Sequence, residues 1–470
     1  MSDVIVLGAG VCGLAAGMML ARDGHRVTVL ERDSAPVPDS PAAAWARWGR
    51  KGVVQFRQAH FLQARGCHAL DSELPDVRRG LEAAGAVRLD PLTRMPRSIA
   101  DRDPRPGDER LTTWTARRPT LEQVLGRAAE SQAGMEVRRG TAVTGLTARR
   151  LDGRLHVTGV RDGRGRQLAA DLVVDAMGRR SVLPTLLLDA GGDPVHEEAE
   201  DSGFVYYTRF FRSADGRLPV QRSAPLSHLG SFSILSLPGD AGTWSVTLYA
   251  SSRDRPLKRL REPGRWSALL RACPLHAHWL DGEPITEIMP MGGVIDRYRR
   301  LAGNGSGPVA GVASLGDAWA CTNPSLGRGM ALGLAHAALL RRVVREHGDR
   351  PAALTRAWDE ATERELTPWY RATVAFDRAR LAEIDAIRTG TDIPPIPADD
   401  IASRVRAALP LAMSRDADVF RAGLEIANCL ALPQEVFARP GLAMRVLEVA
   451  GGEDGALPGP GREQVMELVR

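Results

Sequence analysis

Val4-Ile5-Val6-Leu7-Gly8-Ala9-Gly10-Val11-Cys12-Gly13 is the stretch on which the fold turns. Four apolar residues read as a buried strand, and the G-x-G-x-x-G that follows stands where a strand passes into a helix. Gly8 permits the tight turn, Gly10 lets the backbone approach a pyrophosphate, and Gly13 allows close helix–strand packing. The helix N-terminus adds free N–H groups and a partial positive charge for the phosphates. A second strand, Val27-Thr28-Val29-Leu30, runs into Glu31 and Arg32, and Glu31 lies eighteen residues past Gly13. A carboxylate there can accept bonds from ribose hydroxyls. Strand, glycines, helix, strand and acid in that order predict a dinucleotide site built from Gly8, Gly10, Cys12, Gly13, Glu31 and Arg32. Cys12 reads as a small packed residue beneath the pyrophosphate rather than as a reactive thiol.

Three further motifs decide which dinucleotide. Val309 to Leu315 is an apolar strand, followed by Gly316-Asp317 and by Asn323-Pro324-Ser325-Leu326-Gly327-Arg328-Gly329-Met330, with an apolar helix from Ala331 to Val344. Upstream stands Asp175-Ala176-Met177-Gly178-Arg179-Arg180-Ser181, of the form D-x-x-G-R-x-S. Together they resemble the flavoprotein aromatic hydroxylases and epoxidases of the p-hydroxybenzoate hydroxylase fold. The resemblance implies FAD as the cofactor, with Asp317 on the ribityl chain and Pro324, Gly327, Gly329 and Met330 beside the isoalloxazine ring. It also implies flavin contact by Arg118 and a backbone contact to adenine at Val143. Within that family the chain is most similar to actinobacterial polyether-type epoxidases and hydroxylases, through Arg50-Lys51-Gly52-Val53-Val54-Gln55, Ala59-His60 and Asp201 to Arg209.

The fold class implied is mixed α/β: a Rossmann-like FAD-binding domain interleaved with a β-sheet substrate domain, plus a C-terminal helical region. The expected divisions are 1–195 for the first part of the FAD domain (with insertions near 75–118), 196–300 for the substrate sheet, 301–350 for the closing FAD segment and 351–470 for the helices. Alternation from Phe204 to Phe211, and the hairpin signal Pro238-Gly239-Asp240-Ala241-Gly242, predict the substrate sheet. Pro394-Pro395-Ile396-Pro397 should interrupt the C-terminal helices.

At 470 residues the chain is too long for one simple core. A net charge of +5, carried almost wholly by arginine because Lys51 and Lys258 are the only lysines, gives no basic stripe with interleaved aromatics, so no nucleic-acid partner is expected. Five cysteines without C-x-x-C spacing argue for a reducing cytoplasm and against a disulfide frame or metal site. No apolar run reaches membrane-spanning length, and with the first strand beginning by residue 3 no signal peptide is expected.

The expected activity is that of an FAD-dependent monooxygenase that hydroxylates or epoxidises a small organic molecule of the secondary-metabolite kind, through the C4a-hydroperoxide that reduced flavin forms with dioxygen. Since the cofactor carries the chemistry, no catalytic side chain is assigned. Tyr206, Arg209, His228 and Trp244 are candidates for the substrate pocket, and His60 for a structural bond or a proton transfer. A flavin halogenase or reductase on the same fold is the alternative, and a non-catalytic binder the reading from another class. Leu183 stands where aromatic hydroxylases usually carry an arginine after the motif serine, so electrons come from NAD(P)H either directly or through a separate flavin reductase.

Overall fold

The strand Asp3–Leu7 lies at the centre of a five-stranded parallel sheet in the order Val312–Ser314, Leu172–Asp175, Asp3–Leu7, Arg26–Glu31, Met135–Arg139. The computed structural model describes residues 1–470 apart from 152, 304–306, 349, 393–394 and 452–456. Both faces of the sheet are covered, which is why its strands are continuous apolar runs. Val4, Val6, Val29 and Val174 face the helices Val11–Arg22 and Gly329–His347. Ile5, Leu7, Leu30 and Val173 face a three-stranded antiparallel sheet, Val143–Leu151, Arg154–Asp162 and Gln167–Ala169.

Gly8 has φ +104°, and a Cβ there would stand 2.6 Å from the carbonyl oxygen of Ala176. A Cβ on Gly13 would stand 2.1 Å from the carbonyl oxygen of Gly8. Both glycines are demanded by the crossing of helix and strand.

A second sheet runs Leu226–Leu229, Phe232–Pro238, Thr243–Ser251, Phe204–Arg212, with Glu283–Pro284 and Met289–Met291 also pairing to Phe204–Arg212. Register divides its side chains cleanly: Tyr207↔Leu248, Arg209↔Val246 and Phe211↔Trp244 share one face, and Tyr206↔Tyr249 and Thr208↔Thr247 the other. The first face is packed by Trp266, Leu269 and Trp279, and by Val465 and Val469 from the far end of the chain. A small sheet of His196–Asp201, Ile295–Arg300 and Ala320–Cys321 ties this layer to the parallel sheet.

The C-terminal region is helical, but it does not dock as one unit. Helix Thr367–Thr389 crosses both layers, with Tyr370 and Val374 on Tyr298, and Ile384 on Phe204. Helices Ile401–Met413, Ala417–Ala427 and Leu442–Ala450 form a small core of their own around Val405, Val419 and Val446. Helix Arg462–Leu468 returns to the antiparallel sheet, anchored by the ion pair Arg462–Asp254 at 2.5 Å. Of the proline passage, Pro394 lies outside the described residues; helix Ile401–Met413 begins after it.

Candidate functional site: a two-ended cavity

A cavity of ≈ 2420 Å³ runs between the two sheets and under the C-terminal helices. That exceeds the roughly 300–1,000 Å³ of a pocket for one ligand.

One end is walled by the Gly8–Cys12 loop, Glu31, Arg32, Arg118 and Val143. A Cβ built on Gly10 meets nothing within 4 Å, so this backbone faces open space where a phosphate could approach. Gly13 does not line the cavity; its part is packing against Gly8, which corrects its expected place among the contact residues. Glu31 is buried: Oε2 accepts the N–H of Ala9 at 3.0 Å, and Oε1 accepts that of Asp33 at 2.9 Å. Oε2 also accepts from Arg50 Nη2 at 3.0 Å, so Oε1 is the oxygen that retains a lone pair for a hydroxyl.

Behind this wall lies a buried chain of charges that sequence reasoning did not identify. Arg50 stands 3.0 Å from Glu31, 3.1 Å from Glu122 and 3.6 Å from Asp33. Glu122 in turn accepts from Arg118 Nε at 2.6 Å, and Arg118 Nη1 meets His60 Nε2 at 3.0 Å. Because a guanidinium can only donate, His60 Nε2 is the acceptor, and its Nδ1–H donates to the carbonyl of Gln58 at 2.9 Å. Burial, and then the neighbouring Arg118, push the His60 pKa down to about 3. His60 is neutral with both nitrogens occupied, an orienting residue rather than a proton carrier. The i, i+4 spacing of Arg118 and Glu122 is the local signal that could have revealed part of this chain.

The middle of the cavity is formed by Gly316-Asp317 and the Asn323–Met330 turn. Gly316 has φ +56°, and its N–H donates to His336 Nδ1 at 3.2 Å. His336 lies against Trp358, with centroids 4.5 Å apart and planes 13° apart, and meets Trp319 edge-on at 5.0 Å. Burial holds its pKa near 3, so a neutral ring accepts the Gly316 N–H. A lone histidine in an apolar helix, twenty residues on, carried no sequence signal for this role. Asp317 accepts no hydrogen bond among the described residues, and burial raises its pKa. It is an acceptor facing the cavity without a partner.

Gly327 has φ +64°, which favours glycine, whereas a Cβ on Gly329 would point toward Asp317 Oδ1 at an ordinary contact distance of 3.9 Å, so only a larger side chain there would fill the cavity. Pro324 and Met330 also line the wall. The turn is held from three sides. Gln63 Nε2 donates to the Leu326 carbonyl at 2.7 Å, Asn323 N–H donates to Asp296 at 2.5 Å, and the Ser325 hydroxyl donates to Asp377. Arg328 is buried and also borders the cavity; it donates to Thr373 Oγ1 at 3.1 Å and lies over the Trp369 ring at 5.3 Å. In the D-x-x-G-R-x-S motif, the Ser181 hydroxyl donates to Asp175 at 2.5 Å, which closes that turn, and Leu183 is fully buried in the core.

Of the expected pocket residues, Tyr206 and His228 border the cavity. Tyr206 Oη donates to Asn323 Oδ1 at 2.6 Å. His228 Nδ1 lies 2.9 Å from Ser233 Oγ, and burial, then Arg380, lower its pKa to about 3. Arg209 and Trp244 do not border it, and their expected role is corrected here. Strand alternation turns both to the opposite face, where Arg209 Nε donates to the Thr286 carbonyl at 3.1 Å and Trp244 Nε1 to that of Trp279 at 2.9 Å. Thr208 takes the cavity face instead, bonded to Gln58 at 2.6 Å.

The residues present fit FAD: an open glycine backbone and a ribose-competent carboxylate at one end, an unpartnered carboxylate midway, and a glycine turn beyond it. Fold and cavity thus define an FAD-binding oxidoreductase. The FAD binding domain family model matches residues 1–192. The chain is 30% identical over 387 residues to protein Rv3254 of Mycobacterium tuberculosis, spanning 76% of this chain and 77% of that protein. Over 177 residues, 37% of this chain and 36% of the relative, it is 31% identical to kynurenine 3-monooxygenase of Salinispora arenicola. Its fold superposes on PqsL, a probable FAD-dependent monooxygenase from Pseudomonas aeruginosa, with TM-score 0.58 and 20% identity, covering 82% of this chain and 99% of that one. The chain belongs to the family of Rv3254, with an FAD binding domain in its first 192 residues. Among the described residues no group of side chains could hold a metal, and no helix is long and apolar enough to cross a membrane.

Proposed function

We propose that the protein hydroxylates or epoxidises a small organic substrate, of the secondary-metabolite kind, held against the flavin ring. When bound and reduced, FAD supplies the activation of dioxygen. The Gly8–Gly13 loop would hold the pyrophosphate, Glu31 the adenosine ribose, Asp317 the ribityl chain and the Pro324–Met330 turn the ring. The N–H groups at the start of helix Gly329–His347 stand ready to stabilise negative charge developing at the ring edge. Tyr206 and Thr208, both hydrogen-bonded, fix the sheet side of the chamber, and neutral His60 and His228 keep that side free of added charge. The C-terminal helices exclude water.

The observation that carries this reading is Asp317: a half-buried carboxylate on the cavity wall that accepts no hydrogen bond among the described residues leaves its lone pairs to a ligand. Lys51 does not border the cavity, which disfavours a halogenase with a lysine beside its substrate. Leu183 lies in the core, which supports electron delivery from NAD(P)H through a separate reductase. Stopped-flow reduction of the FAD-loaded protein by NADPH, with and without a flavin reductase, tests both points. Flavin reduction followed by oxygen consumption is expected, faster with the reductase. A loaded protein that no reductant makes oxygen-reactive overturns the proposal.

A further inference from the structure

Beyond the flavin end, the cavity continues under helices that the oxygen chemistry does not use. Helices Ile401–Met413 and Ala417–Ala427 present Leu409, Met413, Phe420 and Leu424 to it, and Phe376 and Phe437 complete an apolar surround. The segment 89–102 also borders it, packed on these helices. It is clamped there by the Ser98 hydroxyl on the Ser414 carbonyl, and by Met95 and Ile99 packed on Ala417.

Charge around the cavity is unequally divided. The carboxylates that border it, Glu31, Asp33 and Asp317, all belong to the flavin-facing part. Arg94, Arg97, Arg102, Arg222 and Arg406 border the remainder, and none forms an ion pair among the described residues. Arg94 is partly desolvated with no anion to compensate, and burial lowers its pKa. Guanidinium groups bind carboxylates and phosphates through paired, charge-assisted hydrogen bonds.

We infer that this outer chamber binds an anionic amphiphile: a substrate with an apolar body longer or broader than a single ring, carrying a carboxylate or phosphate that the rim arginines engage. The inference rests on the flavin reading of the inner end, which fixes where the body of the substrate must stop. It narrows the substrate to acids or phosphoesters whose reacting carbon lies far from the charge.

Isothermal titration of the FAD-loaded protein tests this without turnover. The probes are dodecanoate, dodecyl phosphate, 1-dodecanol and dodecyltrimethylammonium below their micelle concentrations, with butanoate as a short control. The two anions should bind roughly tenfold or more tighter than the alcohol, as for charge-assisted bonds, and butanoate should not bind. The relative strength of dodecanoate and dodecyl phosphate reports which anion the rim suits. Arg94→Gln with Arg97→Gln should erase the preference for anions, and Leu409→Trp should weaken all twelve-carbon probes, both with FAD content unchanged. Equal binding of anion, alcohol and cation, or no binding of any probe to loaded protein, overturns the inference. Failure to take up FAD would instead count against the flavin reading.

Discussion

The Tyr206 hydroxyl donates to Asn323 Oδ1 across 2.6 Å, joining the antiparallel sheet to the residue that opens the Pro324–Met330 turn. Asn323 is itself fixed through its N–H to Asp296. The antiparallel sheet's side of the cavity and the Pro324–Met330 turn are therefore one hydrogen-bonded unit. Tyr206→Phe should keep FAD and fold but release the turn. A buried hydrogen bond of this kind contributes roughly 1 kcal/mol, and the orphaned amide adds to its loss. Coupled turnover should fall about tenfold while hydrogen peroxide release rises, measured together as oxygen consumed against product formed. Unchanged coupling would show that the contact is incidental.

Gly329→Val should damage FAD binding and oxygenation more than Arg328→Ala. Valine at 329 would project into the cavity beside Asp317, whereas the Arg328 guanidinium is held on Thr373 and Trp369. Arg328→Ala should mainly lower the melting temperature, since it empties a buried site. Flavin stoichiometry and thermal melts of the two variants compare the effects. Full flavin in Gly329→Val with loss of flavin in Arg328→Ala would reverse the assignment of the turn.

Glu31→Ala should weaken FAD and also destabilise the apoprotein. It removes one of the acids around Arg50 and leaves a buried guanidinium under-compensated. Breaking such a pair typically costs about 3–5 kcal/mol. Chemical denaturation of flavin-free protein separates the two effects: a normal unfolding midpoint would mean that the charge chain carries little stability.

The contribution of three buried acids to stability should fall as pH rises from about 4 to 7, opposed over the same window by His60, His228 and His336, whose depressed pKa values leave the extra protons on the unfolded chain. Burial lifts the Asp377 pKa to about 7, with Asp296 adding like-charge repulsion, and burial lifts those of Asp296 and Asp175 to about 6. Folded-state values above the unfolded ones mean that the native protein binds more protons through that window, so the contribution is present below pH 4 and lost as pH passes the folded values. Asp377→Asn should flatten this fall. Melting temperatures at pH 5 and 8 for both proteins provide the check, and an equal slope in the variant would remove Asp377 from the account.

The nucleotide end was legible in the sequence because its signals are local: Gly8 and Gly13 answer to helix–strand geometry, and the apolar runs answer to a sheet covered on both faces. The outer parts were not. Arg209 and Trp244 fall on one sheet face and Tyr206 on the other, but a strand with aromatics at successive positions does not say which face meets the cavity. Arg50 and Glu122 are far apart in the chain and meet only through the fold. The wall formed by helices 401–427 depends on a segment near residue 98, with which the chain gives no periodic or compositional link.

Asp317 carries the central claim, the proposal that this cavity is the FAD site. FAD titrated onto flavin-free protein, followed by absorbance and fluorescence, should bind the parent one to one. Asp317→Ala should bind about ten- to a hundredfold more weakly, the value of a charge-assisted hydrogen bond, with an unchanged circular dichroism spectrum. An Asp317→Ala protein that binds FAD as tightly as its parent, or a parent that binds none, would contradict the account.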